Sequence, residues 1–154
     1  MNNKTIYIFD DIYGKSIYSE LQKILPNYNF PIKTNILDPL IYIDEILKEE
    51  PFLVLLDHWF IDNNLMENQL GSRFLAEIDK NLEYEEIINN PFYLFWKKPK
   101  RILKYKNIKT IFISISDNWT RLKTNLFYKK YIKDYIKTKR WNDIYNIIKK
   151  YIKE

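Results

Sequence analysis

Residues 52–56, FLVLL, are apolar at every position. A strand built from them hides both of its faces, which is how a central parallel strand reads. It ends on an acid, Asp57. No apolar run in the chain exceeds five residues, too few to cross a bilayer.

Around this segment, short apolar runs alternate with helical stripes. Thr5–Phe9 (TIYIF) is a β-branched and aromatic run closed by two acids. Ile17, Leu21, Ile24 and Leu25 then recur at helical spacing until Pro26. Residues 31–36 read as a second strand, half-exposed or at an edge because of Lys33 and Asn35. Asp38-Pro39 reads as an N-cap and first helical position. Its helix runs through Leu40, Ile43 and Leu47 and stops before Pro51. A polar stretch from Asp57 to Gly71 precedes a helix led by Phe74, Leu75 and Ile78. Residues 110–116 read as the fourth strand and 131–136 as a short fifth. Ile144, Ile147, Ile148, Tyr151 and Ile152 mark a closing amphipathic helix. This alternation predicts an α/β fold, a doubly wound parallel sheet with helices on both faces. With 154 residues and no repeat or low-complexity linker, residues 1–154 read as one domain.

Composition narrows the chemistry. Cysteine is absent, which excludes disulfides, thiol nucleophiles and thiolate metal sites. His58 is the sole histidine, so poly-histidine zinc sites are excluded as well. The two glycines, Gly14 and Gly71, build neither a P-loop nor a dinucleotide-binding turn. The N-terminus MNNKTIYIFDD has no signal-peptide apolar core, and the chain reads as soluble and cytoplasmic. The net charge of +5 is uneven: residues 1–78 carry 6 basic and 12 acidic side chains, residues 79–154 carry 19 and 8. We read the basic half as Lys-rich helix faces, because no compact basic block or nucleic-acid motif accompanies it.

Sites in such sheets lie at the carboxyl ends of the strands. Asp10 and Asp11 follow the first strand, Asp57 the third, and Ser114 and Ser116 finish the fourth. Lys137 and Lys139 flank the end of the fifth. Singly, each has a plain structural reading, such as Asp10 or Asp11 capping the first helix. Together, three carboxylates repel by about 4 kcal/mol per pair at ~4 Å and an effective dielectric near 20. A divalent cation relieves that, and hard oxygen ligands at an open site suit Mg2+. A carboxylate beside such a cation, a hydroxyl and a lysine suits phosphoryl transfer.

These residues, TIYIFDD (5–11), PFLVLLD (51–57), GSRFLAEI (71–78), IFISIS (111–116) and DYIKTK (134–139), resemble the receiver domains of two-component response regulators. The resemblance implies a flavodoxin-like five-stranded sheet in the order 2-1-3-4-5. It implies Asp57 as the phosphoacceptor, Asp11 as a direct Mg2+ ligand, and Asp10 as a second or water-mediated one. The backbone carbonyl of Trp59 would complete the protein ligands. Ser114, with Ser116 as alternative, and Lys137, with Lys139 as alternative, would grip the phosphoryl group, and Tyr135 would be the switching aromatic. Such a protein is not an enzyme in the ordinary sense, although it assists its own phosphorylation. A histidine kinase or histidine phosphotransfer protein would be its donor, and a downstream protein its target. Neither membrane insertion nor nucleic acid enters this reading, and an oligomer is compatible with it.

The sequence departs from the family at several points. Ile61 stands where a proline is usual, and Gly71 comes late. Two expansions, approximately 58–70 and 79–109, interrupt the pattern. Ile115 is bulky where a small residue is usual, and Thr138 holds the lysine register. These departures keep a phosphorylation-independent pseudo-receiver as the alternative. A phosphatase-like hydrolase is weaker, since Ile12 and Tyr13 stand where its second aspartate belongs. A nucleic-acid binder rests only on the basic half. His58, on the opposite side of the strand end from Asp57, is given no catalytic role. No DNA-binding domain is expected before the end at Glu154.

Overall fold

The computed structural model describes residues 4–33, 41–61, 67–68, 70–88, 108–116, 125–136 and 140–152, with the backbone alone at 60–61, 67–68 and 81–88. In chain order the elements are β1 (Ile6–Phe9), α1 (Gly14–Ile24), β2 (Ile32–Lys33), α2 (Ile43–Glu49), β3 (Leu53–Leu56), β4 (Phe60–Ile61), β5 (Glu67–Asn68), α3 (Leu70–Ile88), β6 (Ile111–Ser114), α4 (Leu126–Tyr131), β7 (Ile132–Tyr135) and α5 (Trp141–Lys149).

Five strands form one parallel sheet in the order β2-β1-β3-β6-β7, the doubly wound order 2-1-3-4-5. The FLVLL run places β3 in the centre, with Leu53, Val54, Leu55 and Leu56 all buried. Its neighbours pair in register, Phe9 with Leu56 on one side and Ser114 with Leu56 on the other. The acid-ended strands β1 and β3 are therefore adjacent and end level. This brings Asp10 and Asp11 beside Asp57.

Strand alternation splits the core in two. Tyr7, Phe9, Val54, Leu56 and Phe112 pack with Ile46, Phe74 and Tyr128 on the side of α2, α3 and α4. Ile6, Ile8, Leu53, Leu55 and Ile113 pack with Ile17, Leu21, Ile144 and Ile148 on the side of α1 and α5. Ile115 belongs to this second group and is fully buried. In α1 the predicted stripe is narrower than expected, since Ile17 and Leu21 are buried while Ile24 is exposed. Pro26 follows Leu25, which closes the helix with its N–H on the Leu21 carbonyl.

Three boundaries differ from expectation. Tyr131 ends α4 rather than opening the fifth strand, because Asn125 caps a helix there. The stretch after Asp57 contains an antiparallel pair, β4 with β5, where a polar loop was expected. The third helix starts at Leu70, so Gly71 lies in its first turn rather than before it. Asp38-Pro39 and residues 34–36 lie outside the described residues, as does most of the second expansion. Its first part continues α3 to Ile88. The edge strand β7 carries a one-residue irregularity, pairing Phe112 with Ile132 but Ile113 with Asp134. Beyond that bulge Tyr135 packs on the aromatic side and Ile136 on the aliphatic side.

Candidate functional site

At the carboxyl end of the sheet, Asp10, Asp11 and Asp57 each bring a carboxylate oxygen within 4.8 Å of the others. This is the one group of its kind among the described residues. Asp10 and Asp57 are almost wholly buried, and Asp11 is half-buried. Asp10 also orders the backbone that leads into α1. Its Oδ1 accepts the N–H groups of Ile12 at 2.9 Å and Tyr13 at 2.8 Å, which fixes the turn into α1. The capping expectation is not met at the helix itself, since Tyr13 holds the N-cap position of α1 and no side chain caps it, whereas Asp10 does belong to the carboxylate cluster. Asp57 accepts the His58 N–H on Oδ1 at 2.8 Å, and its own N–H donates to the Phe9 carbonyl.

Mg2+ takes oxygen ligands at about 2.1 Å, so opposite ligands stand about 4.2 Å apart. Carboxylate oxygens within 4.8 Å of one another need little closure to reach that. The donor set fits a hard divalent cation, with Asp10, Asp11 and Asp57 as the residues that would hold it.

Ser114 lies at the end of β6 opposite Leu56, one residue short of the level of Asp57, and is fully buried. Its Oγ accepts the N–H of Ser116 at 3.4 Å. Ser116 is also buried, but lies beyond the strand pairing. Tyr135, at the end of β7, is half-buried and stacks on Tyr128 with ring centroids 6.4 Å apart. Burial raises the pKa of its hydroxyl. Lys137 and Lys139 lie outside the described residues. Trp59 sets its ring edge-on to His58, 4.6 Å between centroids.

The sequence reading missed what surrounds His58. The side chain turns to the α3–α4 side, away from the Asp57 carboxylate as strand alternation requires, and is buried rather than solvated. Its Nδ1 lies 3.1 Å from Tyr128 Oη and 3.2 Å from Ser72 Oγ. Ser72 Oγ in turn accepts from Asn125 Nδ2 at 3.3 Å. Asn125 Oδ1 caps α4 through the N–H groups of Phe127 and Tyr128. Burial lowers the His58 pKa to about 4, leaving the ring neutral at pH 7. Burial, then the Asp57 charge, holds the Tyr128 hydroxyl well above the usual tyrosine range. Gly71 makes room for this group. A Cβ there would overlap the Tyr128 hydroxyl and lie 2.6 Å from the Asp57 carbonyl oxygen and 2.8 Å from His58 Cα. Its N–H donates to the His58 carbonyl at 3.1 Å. The one legible signal was Asn125 ahead of LFYKKY, an N-cap before an aromatic run.

No family model matches the sequence, and no curated protein matches it. Solved structures do. A signal receiver domain from Vibrio parahaemolyticus is similar at 16% identity, with a TM-score of 0.59, covering 97% of this chain and 89% of that one. The response regulator protein TrrA from Thermotoga maritima, in complex with Mg2+-BeF, matches at 16% identity and a TM-score of 0.53, covering 97% and 99%. A chain from the complex of the histidine kinase ThkA with TrrA matches at 17% identity and 0.51, with the same coverage of 97% and 99%. The fold is that of response regulator receiver domains.

Proposed function

We propose that residues 1–154 form one receiver domain that accepts a phosphoryl group on Asp57 with Mg2+ and signals by protein–protein contact. The observation that carries this reading is the Asp10–Asp11–Asp57 cluster at the carboxyl end of a sheet wound in receiver order. In the reaction, an Asp57 carboxylate oxygen attacks the phosphorus of a phosphohistidine in line. The new P–O bond forms as the P–N bond breaks, and the leaving imidazole keeps the electron pair and takes a proton from water. The His58 N–H holds Oδ1 of the attacking carboxylate in place. Asp11 would bind the cation directly, Asp10 directly or through water, and Trp59 through its backbone carbonyl. A cation there supplies positive charge to the transferring oxygens. Ser114 (alternatively Ser116) and Lys137 (alternatively Lys139) would contact the phosphoryl oxygens, and Tyr135 would report their arrival. The donor would be a histidine kinase or histidine phosphotransfer protein, met in the cytoplasm. Among the described residues no helix is long and apolar enough to cross a membrane.

Asp57 is only 3% exposed. That burial favours one second reading, a pseudo-receiver that keeps the fold as an interaction module. Intact mass after incubation with acetyl phosphate, with and without Mg2+, separates the two. A Mg2+-dependent gain of one phosphoryl group, absent from Asp57→Asn, is the expected result. An unchanged mass with Mg2+ bound would establish the pseudo-receiver.

A further inference from the structure

We infer that Asp57 is coupled to the α4–β7 edge of the sheet through His58, Tyr128 and Asn125, a route separate from the strand-end hydroxyl of Ser114. In its signalling role this rests on the phosphoryl-acceptor reading, and it names the regulation of that same site.

The connection is continuous. The Asp57 carboxylate is tied to the His58 peptide by the 2.8 Å bond from the His58 N–H. The His58 ring meets two hydroxyls, Tyr128 Oη at 3.1 Å and Ser72 Oγ at 3.2 Å. Both hydroxyls can donate to Nδ1 of the neutral ring, and Ser72 Oγ at the same time accepts from Asn125, so the ring is joined to Tyr128 directly and to Asn125 through Ser72. From there two branches reach the edge. Asn125 caps the first turn of α4. The Tyr128 ring stacks on Tyr135 of β7, the last strand of the sheet.

The route responds to what happens at Asp57 because its first bond is to the carboxylate itself. A cation or phosphoryl group on that carboxylate withdraws electron density from Oδ1 and weakens it as an acceptor. The His58 peptide then loses part of its restraint. The far side has little slack: the Gly71 contacts leave no room for a methyl group between Tyr128 Oη and the 57–58 backbone. A shift of the His58 peptide must pass to Tyr128 or break the Nδ1 contact. Ser114 Oγ, by contrast, accepts from the N–H of Ser116 two residues on. His58, Tyr128, Ser72 and Asn125 are positioning residues in this scheme, and of the route's members only Asp57 touches the phosphoryl group.

A double-mutant cycle in the whole chain tests it without needing phosphorylation. Asp57→Asn removes the carboxylate charge while leaving the amide able to accept on oxygen. Tyr128→Phe keeps the ring, its stack and its buried volume and removes only the hydroxyl. Asn125→Asp keeps the cap and removes the donor to Ser72. Amide chemical shifts are read by heteronuclear NMR. With Tyr128 intact, Asp57→Asn is expected to shift the amides of residues 126–135. In the Tyr128→Phe background those shifts are expected to fall at least twofold, while the shifts at Asp10, Asp11 and Trp59 keep their size. Asn125→Asp is expected to reduce the α4 shifts and leave that of Tyr135. Equal α4–β7 shifts with and without the Tyr128 hydroxyl would overturn the coupling. So would their absence in Asp57→Asn itself. The mass gain from acetyl phosphate is scored on the wild-type chain separately. Its failure removes the phosphoryl reading and leaves the cycle's result standing.

Discussion

The two sides of the sheet are built differently. On the α1–α5 side the buried residues are nearly all isoleucine and leucine, with Phe30 the exception. On the α2–α4 side they include Tyr7, Phe9, Phe74, Phe112, Tyr128 and Tyr131. Aliphatic packing asks only for volume and shape. Buried tyrosines also need partners for their hydroxyls, and these are polar groups brought from other elements. Tyr7 donates to Glu45 of α2, Tyr131 to Asp79 of α3, and Tyr128 meets His58 at the end of β3. Lys130 adds a 2.5 Å ion pair to the same Asp79 oxygen. The aliphatic side thus holds the sheet, while the aromatic side ties its helices to one another and to the strand that carries Asp57.

Neighbours on β6 compare the two sides most directly, since Phe112 and Ile113 are both buried and face opposite ways. Phe112→Ala is expected to cost about 3–5 kcal/mol, and the matching truncation Ile113→Ala about 2–5 kcal/mol. Denaturant midpoints with unchanged slopes would read both, and a loss at Phe112 no larger than that at Ile113 would remove the distinction.

A pH series sharpens it further. The folded His58 pKa of about 4 lies below the ordinary 6.5. Between those values the unfolded chain binds the proton and the folded chain does not. Stability contributed at this position is therefore full above pH 6.5 and lost as pH falls towards 4, by up to about 3 kcal/mol. His58→Phe should flatten that part of the stability curve, and a slope unchanged by the substitution would place its origin elsewhere.

Gly71→Ala comes next, at about 1–3 kcal/mol, because the added methyl meets backbone that cannot rotate away. Thermal unfolding reads it, and a neutral result would mean that α3 can slide. The smallest expected effect is Asn125→Ala, about 1 kcal/mol from the lost α4 cap. Asn125→Asp should recover most of it.

Much of the fold was legible because the decisive signals are local. FLVLL could only be a doubly covered strand, and TIYIF and TIFISIS repeated the pattern at intervals a crossover helix fills. The acids directly after β1 and β3 needed no more than the rule that parallel strands end together. The fifth strand was harder. YIKDYI reads as alternation from Tyr131, yet Asn125 extends a helix through that residue, and the bulge after Ile132 then shifts which residues face each side. Nor did the polar letters after Asp57 announce that β4 and β5 would pair.

The order of strand and helix, the burial of β3 and the candidate acids at its end were determined by the sequence alone, because side-chain periodicity and strand-end chemistry act within a few residues. The surroundings of His58 were decided by tertiary structure. Its ring is positioned by Ser72 and Tyr128, which lie 14 and 70 residues away in sequence. Only the packing of α3 and α4 on one side of the sheet brings them together, at a spot that Gly71 leaves open. No local pattern encodes that meeting, because a buried hydrogen bond depends on where two elements come to rest rather than on what either contains.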